Sequence, residues 1–265
     1  MAELDRLDRE HGLGALPTAG VRRPPSQGSR RGYLALLITA VVVFAVAVLA
    51  PTSEMQALRS LVGLGGDRVG AAPSVPDGSG HYAFLQTQPQ TREPVGYDPC
   101  QVIEVEVNPS GAPDGYERLV ETAIAHTADA TGLQFQQIGT TERRPPERVS
   151  GRREPVLVAW ATSDEVPDLK GDVAGVGGST AVEVGFRHRE YVTGTIVLDA
   201  DVFDDVSGGD YKPAQAILDH EFGHLVGLDH VDDAGELMYA DNVGRTTYGP
   251  GDLEGLARLG NIDCR

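Results

Sequence analysis

No stretch constrains this chain more than His220-Glu221-Phe222-Gly223-His224-Leu225-Val226-Gly227-Leu228-Asp229-His230. On a helix His220 and His224 stand four residues apart, so both imidazoles project from one face and reach one ion. Glu221 is rotated about 100° from His220, which sets its carboxylate beside a metal rather than on it. Gly227 lets the chain leave the helix in a conformation most residues avoid, and the turn swings His230 back as a third nitrogen ligand. Three neutral imidazoles on zinc leave a fourth position for water, the arrangement of a catalytic rather than a structural site. Average composition puts the chance of the full pattern, with Gly227 and His230, at roughly one in 10⁵ for a chain of this length. The bland reading is a surface helix with incidental histidines, and it must explain why three of only seven histidines fall within this one stretch.

With these residues and with Leu237-Met238-Tyr239 beyond them, the chain resembles the metzincin clan of zinc endopeptidases, whose signature is His-Glu-x-x-His-x-x-Gly-x-x-His followed by a methionine turn. The spacing from His230 to Met238 and the Leu-Met-Tyr triplet look most like the matrixin branch. Val231 stands where vertebrate matrixins usually carry serine, and Ala240 where proline is common. The resemblance covers residues 95–265 and is strongest over 213–240. It implies an α+β fold: a twisted mixed sheet, a long zinc-binding helix, a methionine turn and a C-terminal helix. It also implies His220, His224 and His230 as zinc ligands, Glu221 as general base and Met238 as a hydrophobic floor under the metal. An extended peptide substrate would pair with an edge strand above the zinc. Val173 to Thr180 is the candidate edge, with an ordinary loop as the alternative.

The formal net charge is −17. Residues 1–31 carry six Arg against four Asp/Glu, and the rest carry 16 Lys+Arg against 35 Asp/Glu, so the acidity lies wholly beyond the tail. Such a balance argues against nucleic acid as a partner, because phosphate backbones demand basic surface.

Residues 1–31 are polar and rich in Arg, Gly and Pro, and read as a disordered cytoplasmic tail. Tyr33 to Ala50 follows without one charge; as a helix it rises about 27 Å, close to the hydrocarbon thickness of a bilayer. Arginines precede it and Glu54 is the first charge after it, so the N-terminus is expected in the cytoplasm and the remainder outside. A single transmembrane signal-anchor over 32–50 is favoured by the length of the apolar run and of the tail before it. A cleaved signal peptide ending at Val48-Leu49-Ala50, giving a secreted protein, is the competing reading.

Residues 51–94, with scattered Gly, Pro, Ser and Gln, read as an extracytoplasmic linker or short pro-segment. The Pro-Arg-Cys-Gly motif by which matrixins often block their zinc is absent. From residue 95 a single domain is expected, large enough for its own core. Val102 to Val107 alternates as a strand, and Leu119, Val120, Ala123, Ile124 and Ala128 form the stripe of a helix over Glu117 to Ala130, stopped by Gly132. Further strands are expected at Leu133 to Ile138, Pro155 to Ala161, Ala181 to Gly185 and Thr195 to Leu198. Gly171 to Gly178 lacks the Lys-Ser/Thr of a phosphate loop and reads as a turn or edge strand. Pro213 suits the first turn of the histidine helix, which buries Leu218, Phe222 and Leu225. Gly251 to Leu259 reads as a last short helix.

Cys100 and Cys264 flank the proposed domain, and an even count in an exported domain suggests one disulfide. The alternatives are Cys100 as a zinc ligand in a latent form, and free buried thiols. Asp199, Asp201, Asp204 and Asp205, with Asp210 nearby, offer hard oxygens for calcium, against which stands a plain acidic surface loop. His126 and His188 read as structural or solvated, and Asp229, Asp232 and Asp233 either tune the zinc or are simply solvated.

The expectation is thus a monomeric, membrane-anchored zinc endopeptidase acting on extracytoplasmic proteins. Two rivals are a zinc amidase acting on cell-wall peptide and a non-proteolytic binding or adhesion module that keeps a structural zinc. Intact Glu221 speaks against the second, since a purely structural site has no use for a general base.

Overall fold

A computed structural model describes residues 68–264, apart from 77, 79, 146–150, 185–186, 208–210 and 242–243. The tail 1–31, the apolar segment 32–50 and residues 51–67 lie outside the described residues. No helix among the described residues is long and apolar enough to cross a membrane.

The fold is α+β. Strands β1 (Ala83–Phe84) and β2 (Val102–Asn108) lead to helix α1 (Tyr116–Thr131), then β3 (Gln134–Thr140) and β4 (Val156–Ala161). After a 3₁₀ turn at Pro167–Leu169 come β5 (Gly175–Val184), β6 (His188–Asp199), α2 (Ala200–Ser207), α3 (Tyr211–Val226), β7 (Leu228–Asp229) and α4 (Pro250–Gly260). Five strands form a mixed sheet in the order β3-β2-β4-β6-β5. Its first four strands run parallel and β5 closes one edge antiparallel to β6.

Side-chain alternation explains the layers. In β2, Ile103, Val105 and Val107 are buried while Val102 and Glu104 face solvent, as period-two geometry requires of a strand covered on one face. All six residues of β4 are buried: it lies between β2 and β6, helices cover one face, and on the other the 3₁₀ turn packs over its end at Ala161. Val156, Val158 and Trp160 join the main core with Leu119, Val120 and Ala123 of α1 and Leu218, Phe222 and Leu225 of α3. Ala161, with Val197 of β6, meets Val166 and Leu169 on the opposite face.

Three expectations need amendment. Asp199 to Asp205 is not a loop: Asp199 ends β6 and its Oδ1 accepts the N–H groups of Asp201 (2.9 Å) and Val202 (3.1 Å), capping α2. Phe203 is then buried beneath α2 against Trp160. The Asp205 side chain and Asp210 lie outside the described residues. Strands β5 and β6 are longer than expected, because each completes its hydrogen bonds on the other along most of its length. Finally, residues 68–94, read as linker, are packed onto the domain. Arg68 donates to the carbonyl of Gly260, Asn261 Nδ2 donates to Pro73 O (2.9 Å), and β1 pairs antiparallel with β7. The contacts mix backbone pairing, close glycines such as Gly80 against Gly251 and Glu236, and scattered side chains such as His81 and Gln88, so no hydrophobic period announces them.

Cys100 and Cys264 are joined in a disulfide across 164 residues, clasping the two ends of the domain.

Candidate metal centre

Helix α3 ends where Gly227 adopts φ 126°, while its N–H still bonds to Gly223 O and His224 O, both at 3.1 Å. A side chain would be strained at that φ, and its Cβ would also press on Leu259 and on Val95 O. From there the chain pairs through β7 with β1, and Gly227 O accepts from Leu85 N at 2.9 Å. That pairing fixes the path that returns His230 to the helix.

The three expected histidines are brought together. His230 Nε2 lies 3.1 Å from both His220 Nε2 and His224 Nε2. The outward nitrogens are pinned: His220 Nδ1 donates to Leu237 O (2.7 Å) and His224 Nδ1 to Leu228 O (2.8 Å). With Nδ1 protonated, each of these rings turns the Nε2 lone pair inward. Converging lone pairs repel unless a cation lies among them. Three imidazoles around an ion at about 2.0–2.1 Å in tetrahedral geometry hold their nitrogens about 3.3 Å apart, close to the separations here. The two helix rings are also held toward their neutral form. Burial, reinforced by His224, pushes the His220 pKa down to about 4, and burial lowers that of His224. The residues therefore fit a metal ion. Among the described residues the other such cluster is Asp98, Cys100 and Cys264, whose sulfurs are spent in the disulfide.

No protein-family model and no curated protein matches this chain. Its chemistry has to be read from the site itself.

Glu221 is 5% exposed and points into the same cleft, where its Oε2 has no hydrogen-bond partner. Burial raises its pKa to about 8. Strand β5 passes directly above it. A Cβ on Gly175 would stand 2.9 Å from Glu221 Cγ, and one on Gly177 2.5 Å from Glu221 O. The glycine-rich stretch is thus an edge strand whose glycines admit the carboxylate. Residues two apart on a strand share a face, so Gly175 and Gly177 were legible as a pair but not as a partner of Glu221.

Met238 is buried below the histidine helix. A Cβ on Gly223 would come within 2.6 Å of its Sδ, so glycine lets the sulfur in. Its segment is held from behind by two buried carboxylates. Asp252 accepts the N–H groups of Leu237, Met238 (3.3 Å) and Gly249 (2.8 Å). Glu236 accepts those of Gly251 (2.9 Å) and Asp252 (3.0 Å) at the start of α4. Sequence reasoning missed this clasp, although Asp252 three residues after Gly249, with Pro250 between, carries a helix-start signal.

The cleft has a volume of about 710 Å³ and runs between β5 on one side and α3 with residues 239–241 and 244–246 on the other. Leu85 borders it, so the packed N-terminal strap reaches the rim. The remaining sequence candidates serve locally. His126 Nδ1 bonds to Asp219 Oδ2 (2.8 Å), Asp229 Oδ1 accepts His230 N (2.8 Å), and Asp233 pairs with His81 (2.6 Å).

Proposed function

We propose that the chain is a zinc-dependent endopeptidase similar to the metzincin clan and closest in pattern to the matrixins, anchored in the cell membrane by residues 32–50 with its catalytic domain outside. One observation carries the reading: three inward-turned Nε2 atoms converge beside a buried glutamate whose Oε2 is left without a partner. Three imidazole donors without a thiolate favour zinc in an open, hydrolytic site.

Bound there, zinc would supply Lewis acidity toward a peptide carbonyl and acidify a water beside it. The chain's own residues do the rest. His220, His224 and His230 hold the ion, and the carbonyls of Leu237 and Leu228 keep the first two rings in the required tautomer. The Glu221 carboxylate accepts the attacking water's proton and later returns it to the leaving amine. Met238 supports the helix beneath the ligands. The exposed side of β5 offers backbone groups to an extended peptide.

The test is cleavage of a diverse peptide library by the full-length, zinc-loaded chain beside Glu221→Ala. Cuts made by the parent and missing from the variant establish the activity. Absence of cuts from both, with one zinc bound per chain and a fold that collapses on chelation, would mean a structural site in a binding module instead.

A further inference from the structure

We propose, resting on the hydrolase reading above, that the cleft selects cationic substrates: segments with Lys or Arg flanking the bond to be cut. The cleft is marked as a ligand site independently of its charge, by the converging imidazoles and by the buried, unpartnered Glu221 Oε2. Its rim then sets the kind of ligand.

Four carboxylates border it from separate segments: Asp168 on the 3₁₀ turn, Asp172 at the entry to β5, Asp229 on β7 and Asp241 beyond Met238. Arg245 is the only Lys or Arg among the lining residues, and its charge also acts on Asp233, whose pKa it helps to lower. Glu236 is occupied by the amides of α4. Asp229 adjoins His230, so an ion on the histidines offsets it. The discriminating charge therefore rests on Asp168, Asp172 and Asp241. All three are exposed, and none makes an ion pair or side-chain hydrogen bond among the described residues.

Exposed acids elsewhere, such as Glu104, Glu121 and Glu183, also stand without an ion pair among the described residues, so what sets the cleft apart is the convergence of its acids on one concave site. The arginines that do pair, Arg143, Arg144, Arg153 and Arg258 with Glu106, Glu165, Glu190 and Glu254, all lie outside the cleft, so none of them offsets its acids. Carboxylates left unmatched around one concave site focus a negative field, which draws cations in and repels anions. A flanking Lys that meets one exposed Asp gains about two- to fivefold in affinity, and less as salt rises.

The experiment uses three internally quenched peptides with one shared centre, flanked by paired Lys, Gln or Glu, and the full-length zinc-loaded chain. We expect kcat/KM to fall in the order Lys, Gln, Glu, with about tenfold or more between the extremes at low salt. Raising the ionic strength should compress that ratio, and so should the triple variant Asp168→Asn, Asp172→Asn, Asp241→Asn. Equal kcat/KM for all three peptides, or an order untouched by the triple variant, overturns the proposal. If no peptide is cut, the hydrolase reading fails separately, and charge selection is decided by binding. Fluorescence anisotropy of labelled Lys- and Glu-flanked peptides with Glu221→Gln then supports the proposal if the Lys peptide binds more tightly and overturns it if the two bind alike.

Discussion

Glu221 and Asp252 are both buried carboxylates near the same histidine helix, and the fold provides for them in opposite ways. Asp252 receives three backbone N–H groups, and its neighbour Glu236 receives those of the first turn of α4. Glu221 keeps an oxygen with no partner, beneath a strand thinned to glycine. Burial raises both pKa values, to about 8 for Glu221, but only to about 6 for Asp252, where backbone bonds oppose it. A buried charge whose bonds are complete belongs to the scaffold. One whose oxygen is left without a partner beside the converging histidines suits a group that takes up a proton and gives it back.

Substitution separates the two kinds. Glu221→Gln keeps size and removes the base, so kcat/KM for peptide cleavage should fall by about 10³-fold or more while thermal stability holds or rises. A matching loss of stability would mean that Glu221 is scaffold after all. Asp252→Ala should do the reverse at first. It leaves the amides of Leu237, Met238 and Gly249 unmet, costing about 3 kcal/mol in urea unfolding. Activity should then fall only as far as the methionine segment loosens.

Gly177→Ala probes the ceiling above Glu221. Its Cβ would meet backbone at 2.5 Å, so β5 or α3 must shift, at about 1–3 kcal/mol of stability. Cleavage should suffer more than unfolding predicts, and an alanine without effect on kcat would sever β5 from the chemistry.

The smallest effect comes from a surface pair, exposed His81 and half-buried Asp233. The hydrogen bond and charge between them raise the His81 pKa and lower that of Asp233. His81 adds stability that is complete below its unfolded pKa near 6.5 and is lost as pH rises through its raised folded value. Asp233 adds stability present above its unfolded value near 3.9 and lost as pH falls through its lowered one. The pair therefore contributes most between about pH 4 and 6.5. His81→Asn should lower the melting temperature slightly at pH 5.5 and not measurably at pH 9.

The same division explains what the sequence could disclose. Ligand spacing is local, so His220, His224 and His230 were readable, as were the apolar run of β4 and the stripe of α1. Residues whose role depends on a distant partner were not. Gly175 and Gly177 look like turn formers until α3 is packed against them. Asp199 looks like a metal ligand until its carboxylate is seen capping α2, although Val202 and Phe203 behind it hinted at a helix. The strap from Arg68 carries no periodic signal because it binds through backbone, glycine and scattered single side chains such as Arg68, His81 and Gln88. The family resemblance supplied the expectation of an edge strand near the histidines, but not which residues soften it.

The bond between Cys100 and Cys264 has a consequence for survival. An endopeptidase of the kind proposed works among chain breaks, its own included. Cleavage of any loop between these cysteines leaves two pieces that cannot diffuse apart, so a broken backbone still presents all three histidines together. Such nicked material would run as one species on a gel and as two after reduction, with a metal on the histidines retained until the thiols are freed.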